Sequence, residues 1–245
     1  LLVIVILTCQ YSEVSAKESI SSASVTNASG KMIFSKDGIK IETDGTAPGS
    51  DSKSEAVWSI KIQNLSDNNS EIIFSERDNK PVISTSENGF VLSYNGLIYN
   101  GKRWDIDLNL NFSKKGEAFS VNGEIKNNVQ GWVVVGFTGP VISGIKAELA
   151  GYPLIMPCGL GQKFTKAPSS KDSINKVSFK GGLAWKYDQA TSSFFVKSDY
   201  PSRFATMQWC SFAGDKGGLY YGSNDKKHGS KHFLVSYKPS DNTLG

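Results

Sequence analysis

The sequence predicts an all-β protein of antiparallel strands, and three alternating runs carry that expectation. Trp58, Ile60 and Ile62 alternate with Ser59, Lys61 and Gln63. Trp104, Ile106, Leu108, Leu110 and Phe112 alternate with Asp105, Asp107, Asn109 and Asn111. Phe119, Val121 and Ile125 alternate with Ser120, Asn122, Glu124 and Lys126. A period of two puts one set of side chains on a packed face and the other in water, as in half-buried strands. No window shows a convincing helical spacing of apolar residues. Two sheets facing one another are the expected architecture.

From the N-terminus, Leu1-Leu-Val-Ile-Val-Ile-Leu7 is an apolar run of signal-peptide length, too short to span a bilayer. Val14-Ser15-Ala16 supplies small residues where a signal peptidase reads, so cleavage is expected before Lys17. The run has no initiator Met and no basic flank, so residues 1–16 read as a truncated signal peptide and 17–245 as the mature domain. Cys9 offers a rival reading as an acylated lipoprotein cysteine, although Thr8 fits a lipobox poorly. Either way the chain is expected outside the cytoplasm, in the periplasm, at the cell surface or beyond it. Residues 17–30, rich in Ser, Ala and Thr, read as the approach to a first strand. Residues 44–54 and 165–176 read as loops, and Asn95-Gly96 and Lys114-Lys115-Gly116 as hairpin turns.

The composition, 39% hydrophobic and 20% charged, is that of an ordinary folded chain with room for one large β-domain or two small ones. The net charge of +4 comes from lysines scattered among acids, which argues against a nucleic-acid footprint. No later segment reaches membrane-spanning length. Cys158 and Cys210 remain after processing, and export permits a disulfide. Its loop of about 50 residues would contribute roughly 4 kcal/mol. Two buried thiols are the alternative, and neither cysteine has a His or second Cys at metal-ligand spacing, so no metal is expected.

Gly96-Leu-Ile-Tyr-Asn-Gly101-Lys102-Arg103 imitates a phosphate-binding loop, but Arg103 has no hydroxyl for Mg²⁺ and a strand pattern follows instead of a helix. A hairpin accounts for it better. Gly159-Leu-Gly161 lacks the third glycine of a dinucleotide site, because Phe164 stands there. No cofactor is expected. Asp105 and Asp107, two apart on one strand face, would hold carboxylates about 7 Å apart, within the range of glycosidase pairs. They share that face with Asn109 and Asn111, and nothing apolar is at hand to raise one pKa. They read as solvated, and no catalytic residue is assigned.

The stretch Tyr200–Tyr237 carries the strongest signal. An aromatic run with Phe204, Met207, Trp209 and Phe212 passes through Gly214-Asp-Lys-Gly-Gly218 into Leu219-Tyr-Tyr-Gly222. A polar loop with Asp225, Lys227, His228 and His232 follows, then Phe233-Leu-Val235. Upstream lie Trp132-Val-Val-Val-Gly136-Phe-Thr-Gly-Pro140-Val-Ile-Ser-Gly144-Ile and Tyr152-Pro-Leu-Ile-Met-Pro157-Cys-Gly-Leu-Gly161. In order and spacing, residues 104–237 resemble the N-terminal galactose-mutarotase-like β-supersandwich of large bacterial glycoside hydrolases, in which a (β/α)8 catalytic barrel follows. Cys158 departs from the pattern, where the family tends to have Arg.

The resemblance implies a supersandwich incomplete at its C-terminus, a downstream catalytic domain as partner, and an oligo- or polysaccharide substrate. The catalytic residues would lie beyond Gly245. It makes Trp209, Asp225, His228 and His232 candidate sugar or interdomain contacts, since an aromatic face stacks on a pyranose while carboxylate or imidazole takes hydroxyls. Core packing of Trp209 and satisfied loop histidines are the plainer alternatives. A stand-alone carbohydrate-binding module, or an aldose-epimerase-like enzyme using His228 or His232 for acid–base transfer, are the competing functions.

Overall fold

The computed structural model describes residues 22–245 other than 45–48, 51–55, 68–69, 147, 150, 159–160, 178–181, 201–207, 216 and 224–229. The proposed signal peptide and Cys9 lie outside the described residues.

Among the described residues, twenty strands follow in chain order. The first three form a meander: β1 (Ala23–Asn27), β2 (Gly30–Ser35) and β3 (Gly38–Glu42). Next come β4 (Ser59–Asn64), β5 (Glu71–Ser75), β6 (Val82–Ser86) and β7 (Gly89–Asn95). The short ribbon β8 (Ile98–Tyr99) and β9 (Lys102–Arg103) precedes β10 (Ile106–Lys115), β11 (Ala118–Asn127) and β12 (Trp132–Thr138). The second half holds β13 (Leu154–Met156), β14 (Gln162–Phe164), β15 (Lys186–Asp188) and β16 (Ser193–Tyr200). It closes with β17 (Trp209–Gly214), β18 (Gly217–Gly222), β19 (Lys231–Lys238) and β20 (Thr243–Leu244).

Every pairing between these strands is antiparallel, in sheets ordered β1-β2-β3, β11-β10-β7-β6, β12-β4-β5, β14-β13-β17-β18 and β15-β16-β19-β20. The all-β character is therefore as expected, but the strands are distributed over five small sheets and a ribbon, not two wide faces. Two hydrophobic cores result. The first collects the alternating residues of the sequence reading: Trp58, Ile60 and Ile62 from β4 and its approach, with Ile106, Leu108, Leu110 and Phe112 from β10, all 0% exposed. The second gathers Leu154, Met156, Trp185, Val196, Phe212 and Phe233. Ile142 and Leu219 touch both.

Isolated bridges tie the halves together: Ile41 to Ser50, Ser50 to Ile145, and Ile145 to Leu244. They draw one line of chain from β3 to β20. Ser50 makes this possible because its hydroxyl accepts the Ile41 N–H at 2.8 Å while its own N–H donates to the Ile41 carbonyl. It is 2% exposed, so the segment read as an unanchored loop has a buried polar anchor. A hydroxyl that satisfies backbone groups substitutes for the missing apolar side chain.

Other local expectations also met the fold. The glycine-rich imitation of a phosphate loop is the β8–β9 ribbon, turning at Asn100 (φ 49) and Gly101 (φ 74). Asn95-Gly96 is not a hairpin turn. It releases the chain into that ribbon, since β7 pairs with β6 and β10. Lys114-Lys115-Gly116 does close a hairpin, between β10 and β11. Residues 165–176, expected as loop, include a 3-10 turn, Lys171–Ser173, and lead into α1 (Ile174–Val177). A Ser170/Ser173 capping box starts it, a local signal that apolar periodicity does not register. Phe119, Val121 and Ile125 are only partly buried because β11 is a sheet edge.

Candidate functional site

The β17–β18 hairpin places the first candidate. Residues opposite or two apart share a face, and Trp209 pairs with Gly222 while Ser211 pairs with Tyr220. The core row is Cys210 and Phe212, facing Tyr221 and Leu219. The opposite row is Trp209, Ser211 and Ala213 beside Gly218, Tyr220 and Gly222, with Ser211 itself buried. Trp209 is half-buried, yet its ring stays on the open side, 5.5 Å from the Tyr220 ring at an interplanar angle of 34°. Tyr220 is 64% exposed. Its neighbour Tyr221 turns inward, where its hydroxyl donates to the Pro140 carbonyl at 3.3 Å and burial pushes its phenol up to about 12.

His232 stands on β19 directly opposite Asp199 of β16. Its Nδ1 lies 2.5 Å from Asp199 Oδ1, and Lys197 Nζ lies 3.0 Å from the same oxygen. The Lys197 contact, with His232 adding to it, holds the Asp199 carboxyl below the usual carboxylate range. Both members of the pair are more than half exposed, so in water the contact is worth little. The pair stands on an exposed strand face, with no enclosing wall among the described residues. Asp225 and His228 lie outside the described residues. Asp105 and Asp107 act as anchors for turns: Asp107 accepts the Gly96 N–H at 2.9 Å, and Asp105 accepts the Asn128 amide at 3.2 Å.

Cys158 and Cys210 are both free thiols, so the candidate disulfide is not formed in the structure. Register explains the separation. Ile155 pairs with Ser211 and Leu154 with Phe212, so Cys158 is carried past the end of the ladder while Cys210 points into the second core. Burial pushes the Cys210 thiol up to about 12, which keeps it protonated and unreactive at neutral pH. Among the described residues, no group of three or more His, Cys, Asp or Glu is placed to hold a metal ion. No helix among them is long and apolar enough to cross a membrane.

One half-buried acid escaped the sequence reading. Glu76 follows β5, and its carboxylate accepts the Val57 N–H at 2.9 Å beside the buried Trp58 and Tyr94. Those rings meet edge-on at 4.9 Å. Desolvation raises the Glu76 pKa above its ordinary value, against the lowering effect of the Val57 hydrogen bond. The folded state therefore holds this proton to higher pH than the unfolded chain does. The associated stability is fully present below the ordinary carboxylate pKa and is lost as pH rises through the folded one. Glu76→Gln keeps an acceptor for Val57 and removes the charge. Its melting temperature relative to the parent is expected to rise between pH 4.5 and pH 7, by calorimetry. A difference that stays constant over that range would exclude the role.

Tyr220, Asp199 and Glu76 are the functional-looking residues that sequence alone did not single out. For Tyr220 a signal was present, in the alternation Gly218-x-Tyr220-x-Gly222 that leaves a ring alone on one face. No protein-family model matches this chain, and no curated protein matches it.

Proposed function

We propose that the chain is the non-catalytic N-terminal β-domain of an exported glycoside hydrolase, a galactose-mutarotase-like supersandwich that supports a downstream catalytic barrel and helps shape its sugar cleft. The supporting observation is that the two stretches carrying the resemblance meet in one sheet. β13, from the Tyr152–Gly161 element, pairs directly with β17, from the Trp209 element, through Leu154 opposite Phe212 and Ile155 opposite Ser211. The bridges from Ile41 through Ser50 and Ile145 to Leu244 link the first strands of the chain to its last, and two hydrophobic cores lie among the strands.

A second reading, a stand-alone carbohydrate-binding module, draws on the half-buried Trp209 and the exposed Tyr220 beside it. The epimerase reading asks for an acid and a base on either side of an enclosed sugar. His232 stands on an open strand face, and His228, the other histidine of that reading, lies outside the described residues.

The test is the reading frame. A polypeptide extended past Gly245 is expected to hydrolyse chromogenic glycosides, while the chain of 245 residues releases no sugar. A stop codon shortly after Gly245, or turnover by the chain alone, would reject the hydrolase-domain reading.

A further inference from the structure

We propose that the outer edge of β11 pairs with the same edge of a second copy of this chain, antiparallel and about a two-fold axis at Gly123. The pairing is independent of the hydrolase reading.

β11 is the outermost strand of the sheet β11-β10-β7-β6, and among the described residues no strand pairs with its other side. Natural edge strands are blunted by shortness, a bulge or proline. β11 runs for 10 residues in unbroken register with β10, whereas the edge strands β1, β5 and β6 have 5 each and β12 is bulged between Val134 and Gly136. Lys115 opposite Ala118 closes a two-residue turn, so β10 and β11 exchange hydrogen bonds at Ser120, Asn122 and Glu124. Phe119, Val121, Gly123 and Ile125 therefore turn their N–H and C=O groups toward the outer side.

Gly123 stands in the middle of this strand and is exposed. Glycine weakens a strand interior, and it is kept there for a bulge, a special backbone angle or the close approach of another backbone. The first two reasons do not apply. The register has no bulge at Gly123, and its φ is not among the positive ones. An added Cβ would meet Leu110 at 3.4 Å and Phe137 at 3.9 Å, which are ordinary contacts. Approach by another backbone is the reason left.

The edge is complementary to itself. An axis through Gly123 sets Val121 of each copy opposite Ile125 of the other, a β-branched pair of the kind that stabilises neighbouring strands. Both residues are half-buried against the first core, and Phe137 beside Gly123 is 38% exposed, so a second copy covers apolar surface that this chain leaves open. On the other face Asn122 meets Glu124, and Ser120 meets Lys126, so each charge faces a neutral hydrogen-bonding side chain. Moving the axis to Glu124 would set two carboxylates opposite each other, which is unfavourable. The contact is isologous, as a two-fold dimer requires, and it joins two 4-stranded sheets into one. One strand pair falls below the about 1,200 Å² at which stable interfaces begin, so the dimer is weak and reversible.

Sedimentation equilibrium of the full chain, from micromolar to high micromolar concentration, reads the association. A monomer–dimer equilibrium is expected. Asn122→Glu opposes carboxylates at two symmetric places and is expected to weaken the dimer at least tenfold. Asn122→Lys is expected to tighten it, and Asn122→Glu combined with Glu124→Lys to restore it. Asn122 and Glu124 are both exposed, so the melting temperature of the monomer stays near that of the parent. Hydrogen exchange is expected to slow at Val121, Gly123 and Ile125 as the dimer forms. A chain that stays monomeric throughout would overturn the proposal. So would a dimer indifferent to Asn122→Glu, or one that the double variant fails to restore. None of these results touches the reading-frame test.

Discussion

Replacing Phe112 with alanine is expected to cost about 3–5 kcal/mol of unfolding free energy. Phe112 is fully buried in the first core, and its ring stacks on Phe90 at 4.6 Å with an interplanar angle of only 15°. The two residues are opposite each other on β10 and β7, so the truncation empties both a core position and a cross-strand pair. Backbone ladders on either side hold β10 in place, which limits how far the cavity can collapse. Urea unfolding followed by circular dichroism measures it. A loss under 1 kcal/mol would mean that Phe112 does not pack as described.

Gly89→Ala is expected to be nearly as damaging, about 3 kcal/mol, at the top of the range for forcing atoms into packed space. A Cβ at Gly89 would stand 1.9 Å from the Phe112 carbonyl oxygen, which is backbone and cannot swing aside. The Gly89–Ser113 end of the ladder must open to admit one methyl group. Hydrogen exchange localises the effect. Protection lost at residues 112–114 first is the expected pattern, and uniform protection with unchanged stability would refute it.

Much of this fold was legible because one-sided burial writes itself into sequence as alternation. Trp58, Ile60 and Ile62, and the row from Ile106 to Phe112, went to the core face as read. Alternation says which face is wet. It does not say which strands neighbour each other, so the division into five small sheets was invisible. Ser50 was unreadable for a related reason: a buried hydroxyl bonded to Ile41 looks, in sequence, like any serine in a polar loop. The helical turn after Ser170 was missed because capping, not periodicity, specifies it.

The candidate site was legible only in part. Trp209 stood out by residue type, and the hairpin that carries it by its glycines. Tyr220 needed the register, since only pairing reveals that Tyr220 and Tyr221 point to opposite sides. The Asp199–His232 contact joins strands that the β17–β18 hairpin and the polar loop separate, and no local rule could pair them. Glu76 looked like an ordinary surface acid because its burial comes from Val57, Trp58 and Tyr94, contributed by other parts of the chain.

The bridges through Ser50 and Ile145 carry a consequence for synthesis. β1 to β3, and the β7–β10–β11 meander, pair with close neighbours in sequence, so the first core can condense while the rest of the chain is still being made. The Ile145 bridge differs: its partner Leu244 follows every strand of the second core in the chain. Until then Ile145 lacks one of its neighbours, and a nascent chain holds an unfinished seam exposed to chaperones or to another unfinished copy. Closure of the seam is a late, long-range event, and truncations that remove β20 should slow or divert maturation even where both cores keep their own residues.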